Sequence, residues 1–325
     1  MNKNNFPKIS IVTPSYNQGQ YIEQTIQSVL GQDYPNLEYI IIDGGSTDNS
    51  GEIIKKYEKH LAYWVSEKDK GQSDAINKGI SRATGEIFNW LNSDDFYSPG
   101  VLQEVANSFS AGVDVVCGKV RFHYADGSTA FTTAFPHSDN VMEVISSTKF
   151  VQQSTFFPLK FIKEVNGVNP ELHYSMDFEL WLKYLFIYGL SGVKNNDKVI
   201  ANFRIHGASK TYLSDNNFFN EWVKIFTSIK SIYNKSIEEQ YSQLLGNYKF
   251  KIRSVSLDPE IVKEAVARFF YDALVFLYGE RNLKMFDTVM HLLDINYLDK
   301  RRRSEIKKMK FRRENIPIMF FKKKH

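Results

Sequence analysis

Short apolar runs and amphipathic segments alternate through the first 120 residues. Ile9–Thr13, Leu37–Ile42, Ala62–Val65, Ile87–Leu91 and Val113–Val116 are runs of strand length, rich in branched and aromatic side chains. Between the first two, Ile22, Ile26, Val29 and Leu30 mark an apolar helical stripe. Ile53, Ile54 and Tyr57 form another behind Thr47-Asp48, either of which can cap it, and Ser73–Ala83 and Val101–Phe109 also read as helices. Strand–helix alternation at this spacing predicts mostly parallel strands with right-handed crossovers, covered by helices on both faces. From Thr129 to about Lys210 the pattern is mixed, with short strands and a helix over Phe178–Tyr188. Beyond Tyr212 it turns helical and aromatic, over Phe218–Ile232, Ile237–Tyr248, Pro259–Leu277 and Leu283–Leu293. The expected organisation is an α/β domain over residues 1–211 and a helical extension over 212–325.

Four polar turns follow strand-like runs: Pro14-Ser15-Tyr16-Asn17, Asp43-Gly44-Gly45-Ser46, Glu67-Lys68-Asp69-Lys70-Gly71 and Asn92-Ser93-Asp94-Asp95. Ligands of such sheets bind at the carboxyl ends of the strands, so the four turns are expected on one rim. Asp94 and Asp95 are the most informative pair. Adjacent carboxylates repel each other, and a divalent cation relieves that cost while leaving positions for phosphate oxygens. A helix cap ahead of Val101–Phe109 is the competing reading.

Composition narrows the class. The chain has 325 residues, 42% hydrophobic and 24% charged, with one cysteine. No disulfide can form within it, which fits a reducing compartment, and Cys117 lies in an apolar run where packing is the simpler role. No signal peptide or bilayer-spanning stretch is evident, so a cytoplasmic protein is expected. The net charge of +4 hides an asymmetry: Asp299–His325 carries 12 Lys/Arg against 3 Asp/Glu, leaving −5 on the rest. Bulky Ile306, Met309, Phe311, Ile316, Ile318, Met319, Phe320 and Phe321 interleave with those charges. Such a tail suits peripheral contact with an anionic membrane, or simply packs on the body or stays solvated. No nucleic-acid-binding motif accompanies it, so nucleic acid is not an expected partner.

Five blocks in order, "SIVTPSYNQGQYIEQTIQSVLGQDYPNLEYIIIDGGSTDNS", "SEKDKGQSDAINKGISRATGE", "NWLNSDD", "SMDFELWLK" and "FRIHGASKT", resemble family two of the inverting glycosyltransferases. They cover roughly residues 8 to 211, about two thirds of the chain. The resemblance implies a GT-A fold, a Rossmann-like, mostly parallel sheet with helices on both faces. It also implies a nucleotide-sugar half over about 8–120, an acceptor half over about 121–211, and a saccharide or lipid-linked saccharide as acceptor. By resemblance, Thr13, Pro14, Tyr16 and Asp43 line the base and ribose pocket, uridine being usual, and Glu67 and Asp69 lie beside it. Many relatives carry a second acid where this chain has Gly44. Asp94 and Asp95 match the acids of the family's DXD element, with Asn92 in the place often held by its first acid. Asp177 matches the catalytic base, preceded by Met176 where a Glu is common. His206 resembles a residue that holds metal or diphosphate, and Gln153 and Ser154 match a segment near sugar and acceptor.

The residues themselves carry this chemistry. Inverting transfer is one in-line displacement needing a base on the acceptor side, which an ionised Asp177 supplies. Asp95 is the expected stronger metal ligand, with Asp94 as its partner or a ribose contact. Oxygen ligands fit Mg²⁺ or Mn²⁺, and an imidazole from His206 favours Mn²⁺. The guanidinium fork of Arg204 suits a diphosphate, and Glu179 reads as an acceptor-side or supporting group. Two alternatives remain open on sequence: a non-catalytic nucleotide-sugar-binding or scaffold protein, and a nucleotidyltransferase. The latter usually needs a basic Gly-rich phosphate loop, which "PSYNQGQ" is not.

Overall fold

The structure is a computed structural model describing residues 6–132, 135–213 and 215–315. The strands are β1 (Ile9–Ser15), β2 (Leu37–Asp43), β3 (Tyr63–Ser66), β4 (Ile87–Trp90), β5 (Phe96–Tyr97), β6 (Val115–Tyr124), β7 (Thr129–Phe131), β8 (Thr155–Pro158) and β9 (Val193–Ile205). The helices are α1 (Ile22–Leu30), α2 (Ser50–Lys56), α3 (Gln72–Arg82), α4 (Val101–Ser110), α5 (Val141–Ser146), α6 (Leu159–Glu164), α7 (Met176–Tyr188) and α8 (Lys210–Leu213). They continue as α9 (Asp215–Tyr233), α10 (Ser236–Gln240), α11 (Ser242–Leu245), α12 (Pro259–Glu280), α13 (Leu283–Leu292) and α14 (Lys300–Asn315).

The chain divides into two compact units. The first holds residues 1–139 and 149–217; the second holds 140–148 and 218–325. The sequence reading put the boundary at 211 and left 140–148 in the acceptor half. Short α5 joins the second unit because its face packs on α12, where Glu143 pairs with Arg268 at 3.1 Å.

In the first unit, nine strands form one sheet in the order β3-β2-β1-β4-β8-β6-β9-β5, with β7 on β6. β1, β2, β3 and β4 pair in parallel, Ile9 opposite Leu37 and Ile87, as the alternation predicts. β8 runs antiparallel to both β4 and β6, and β6 pairs in parallel with the long β9. β1 is buried along its whole length because α1 and α3 cover its faces, which is why its sequence is a continuous apolar run. Close packing has a specific device at Gly79: a Cβ there would lie 2.4 Å from Val12 Cγ1, so α3 seats on β1 only without a side chain. Cys117 is buried, and burial pushes its thiol up to about 12, as core packing requires.

The second unit is helical. α9 and α12 stack Phe226 on Phe269 at 3.8 Å between ring centroids, and α13 folds back on α12. The expected helix 237–248 is instead the two short helices α10 and α11. The sequence pattern did not show helical α14, whose only buried residue is Ile306. The tail residues 316–321 of the membrane expectation lie outside the described residues. Among the described residues, no helix is long and apolar enough to cross a membrane.

Candidate active site

The four turns do share the carboxyl-terminal rim of β1, β2, β3 and β4. The first two are stitched together. Asn17 accepts the Thr47 N–H at 2.8 Å, the Asn17 N–H reaches Ser46 Oγ at 2.8 Å, and the Gly44 N–H reaches Ser15 O. Asp43 is fully buried beneath this seam. Its carboxylate accepts Ser46 N–H and Oγ–H at 2.9 and 2.5 Å and Ser66 Oγ–H at 2.6 Å. Thr13 and Pro14 are buried as well, with Thr13 Oγ1 3.0 Å from the Tyr39 hydroxyl. Tyr16 is the residue of this group offered to solvent, 59% exposed. Glu67 is exposed and paired with Lys78 at 2.8 Å.

The acidic turn is tied down from two sides. Thr25 of α1 donates to the Asp95 carbonyl at 2.6 Å, and Gln72 at the start of α3 donates to Asn92 Oδ1 at 2.8 Å. The two acids then part company. Asp95 points inward and is fully buried; its Oδ1 accepts the Arg204 backbone N–H at 3.1 Å, and no hydrogen bond of ordinary geometry reaches Oδ2. Burial and the Asp94 carboxylate push the Asp95 carboxyl well above the usual range, outweighing the Arg204 N–H, the Gln153 side chain and the Arg204 charge. Asp94 points outward, its Oδ2 3.1 Å from His206 Nε2. Asp94 is thus presented beside His206, while the buried Asp95 braces the turn through Oδ1 and keeps Oδ2 without a hydrogen bond.

Arg204 closes the site from β9. Its guanidinium donates to the Asp94 carbonyl and to Gln24 Oε1, and lies over the rings of Phe96 at 4.6 Å and Tyr21 at 5.2 Å. Tyr21 also packs on the His206 ring, centroids 4.8 Å apart. Burial draws the Arg204 pKa down against the two carboxylates, yet a guanidinium remains charged at neutral pH. Lys210 links the rim to the segment before α7, donating to Gln72 Oε1 at 2.7 Å and to His173 O at 2.6 Å.

Asp177 lies in the first turn of α7, half-buried, with Oδ1 on the Phe178 N–H at 2.8 Å. Gln153 is half-buried beside Asp95. Ser154, expected near sugar and acceptor, and Glu179, expected as an acceptor-side or supporting group, are both buried. Ser154 is spent on Gly118 O at 2.7 Å, and Glu179 is fully buried against Lys183 at 2.9 Å and Asn169 at 3.2 Å. Position 179 follows Asp177 by two residues, which on a helix points it well away.

Sequence reasoning missed Ser46, Ser66, Gln24, Gln72, Tyr21 and Lys210. All six lie inside the quoted motif blocks, but hydroxyl, amide and amine side chains at those positions give no signal of their own that separates them from their neighbours.

The mostly parallel sheet with helices on both faces and acids at its strand ends has the GT-A fold. The solved TarS of Staphylococcus aureus in complex with UDP shares this fold, with a TM-score of 0.61 and 17% identity over 94% of this chain and 88% of that one. A mannosyltransferase of Pyrobaculum calidifontis in complex with GDP-Man and Mn²⁺ superposes with a TM-score of 0.51 and 16% identity, over 95% of this chain and 86% of that one. Residues 10–162, a little under half of the chain, match the family model of Glycosyl transferase family 2. An uncharacterized glycosyltransferase of Rickettsia typhi is 25% identical over 89% of this chain and 85% of its own length. A putative teichuronic acid biosynthesis glycosyltransferase of Bacillus subtilis, TuaG, is 41% identical over 30% of this chain and 40% of its own.

Proposed function

We propose that the protein transfers a sugar from a UDP-linked donor to a saccharide acceptor with inversion, as in assembly of a polysaccharide. The observation that carries this is the Asp94–His206 pair beside Arg204, on the rim where exposed Tyr16 stands. TarS has been solved with UDP and with UDP-GlcNAc, and TuaG is named for a polysaccharide, which supports this donor and product class.

The reaction is a single displacement. An acceptor hydroxyl attacks the anomeric carbon, the bond to the diphosphate oxygen breaks, and the proton passes to Asp177. Arg204 holds the acidic turn through the Asp94 carbonyl and aims a cation at that rim. Among the described residues no three His, Cys, Asp or Glu side chains group as a complete metal cage. Asp94 and His206 nevertheless fit Mn²⁺ or Mg²⁺ as a partial site, the kind completed by diphosphate oxygens and water. Such an ion supplies charge neutralisation on the leaving diphosphate.

A lipid-linked acceptor at the cytoplasmic membrane face completes the proposal. Lys300, Lys307, Lys308, Phe311 and Arg312 fall on one exposed face of α14, with Phe311 63% exposed. Basic side chains flanking an exposed aromatic suit an anionic bilayer. Deleting residues 300–325 should abolish cosedimentation with phosphatidylglycerol vesicles; unchanged partition removes the membrane step.

The test of the main reading is a panel of nucleotide sugars with Mn²⁺, following donor binding and released nucleoside diphosphate together. One UDP-sugar should bind and turn over slowly, with turnover lost in Asp177→Asn and binding kept. Binding without turnover in either form would favour a carrier; no binding of any nucleotide sugar would overturn the proposal.

A further inference from the structure

We infer that the outer face of the β6–β7–β9 sheet is the acceptor subsite, and that Arg121 and Phe131 on it select a negatively charged saccharide. The inference rests on the glycosyltransferase reading and extends it to the acceptor.

Pairing register defines the face. β6 and β9 run in parallel with Arg121 opposite Asn202 and His123 opposite Arg204. β7 adds Phe131 opposite Arg121, and β5 adds Phe96 opposite Asn202. Alternation along strands puts these residues on one side. Their contacts agree: His123 Nε2 is 3.0 Å from Asn202 Oδ1, the His123 and Phe96 rings lie 5.4 Å apart, and Arg204 covers Phe96 at 4.6 Å. On the other side, Val120, Phe122, Ala201 and Phe203 join the hydrophobic core. One strand pair is therefore apolar inward and polar outward. This side carries Arg204, at the acidic turn, on β9 and Phe131, at the edge, on β7, with buried Asn202 and half-buried His123 and Arg121 between them.

Two features at that edge lack an internal purpose. Phe131 is 56% exposed, a large apolar ring in a position where folding gains little from it. The Arg121 guanidinium stacks on that ring at 5.1 Å. Lys119, two residues earlier, is neutralised by Asp197 at 3.1 Å, whereas Arg121 has no ion-pair partner among the described residues and its buried Nε makes no hydrogen bond. A flat ring backed by an unneutralised guanidinium matches a pyranose carrying a carboxylate or phosphate: the ring stacks on the sugar's C–H face, and the fork meets the anion. The same strand face carries Arg204 at the acidic turn, so a sugar held by Arg121 and Phe131 shares that face with the proposed donor rim.

The test titrates three probes into the full chain held with UDP: p-nitrophenyl glucuronide, p-nitrophenyl glucoside 6-phosphate and neutral p-nitrophenyl glucoside. An acidic glycoside should bind wild type about tenfold more tightly than the neutral one, the scale of one charge-assisted contact. Whichever acidic probe binds tighter names the anion. Arg121→Gln should erase the preference and Arg121→Lys should restore part of it. Phe131→Ala should weaken all three probes, with UDP affinity and melting temperature unchanged in every variant. Equal binding of neutral and acidic probes to wild type, no binding of any, or a preference that survives Arg121→Gln would overturn the inference. UDP binding is read on the same samples, so failure of the donor reading is seen separately.

Discussion

Gly44 lies directly against the carboxylate of Asp69: a Cβ at position 44 would sit 2.6 Å from Asp69 Oδ2. Asp69 Oδ1 meanwhile holds the Gly71 N–H at 2.8 Å, which fixes the carboxylate in place. The second acid that many family members carry at position 44 has no room here, because an acid from the next turn already fills that space. Gly44→Asp should therefore cost about 1–3 kcal/mol through overlap and like-charge repulsion. Adding Asp69→Gly should recover most of that loss. Chemical denaturation of the two single variants and the double variant measures the coupling, and additive costs would show that the two positions are independent.

The divided roles of the acidic pair give a second expectation. Asp94→Asn should lower kcat/KM about 10²-fold or more, since it weakens the anionic partner of His206 and any ion held there. Asp95→Asn should be the milder change. An amide oxygen at this buried position can still accept the Arg204 N–H. Donor turnover and melting temperature of both variants decide this. Equal loss of activity with equal stability would return Asp95 to the metal.

How much of this was legible in the sequence depends on which force set each feature. Ile9–Thr13 and Leu37–Ile42 announced themselves because strands covered on both faces are apolar throughout. The turns at Asp43, Asp94 and His206 were legible because each follows a strand. Direction was not legible. Asp94 and Asp95 are adjacent and chemically alike, and only the approach of β9 with its Arg204 N–H decides which one turns inward. Ser154 and Glu179 look like ligands by residue type, yet Ser154 satisfies a buried carbonyl on another strand and Glu179 a buried Lys one helical turn on. The pairing of Arg121 with Phe131 required the β6–β7 register, which spacing alone does not fix.

Asp177 and Glu179 separate by experiment. Asp177→Asn should cut transfer by about 10²–10⁴ while leaving donor affinity and stability in place. Glu179→Ala should instead destabilise by about 3–5 kcal/mol, because it strands the Lys183 ammonium without its carboxylate in the core. Glu179→Ala and Lys183→Met combined should recover part of that stability. A Glu179 variant that folds normally but loses acceptor affinity would restore its acceptor-side role.

The amino-terminal end of the sheet, opposite the site, holds a carboxylate that makes stability depend on acid pH. Glu38 opens β2 as a buried carboxylate. Burial alone would raise its pKa, but Lys8, Ser10 Oγ–H at 2.5 Å and the Thr84 N–H and Oγ1–H at 2.7 and 2.6 Å outweigh it. The net effect lowers it from 4.5 to about 2. A carboxyl depressed in the folded state binds its proton less readily there than in the unfolded chain. Its contribution is therefore complete above pH 4.5 and is lost as pH falls from 4.5 toward 2. After discounting for the partly exposed Lys8, it amounts to about 2 kcal/mol. Glu38→Gln should lower stability by that amount at neutral pH, and the difference from wild type should shrink through this window. Urea denaturation at neutral pH and at successively lower pH checks it; a gap that stays constant on acidification would mean the carboxylate's charge contributes nothing to the fold.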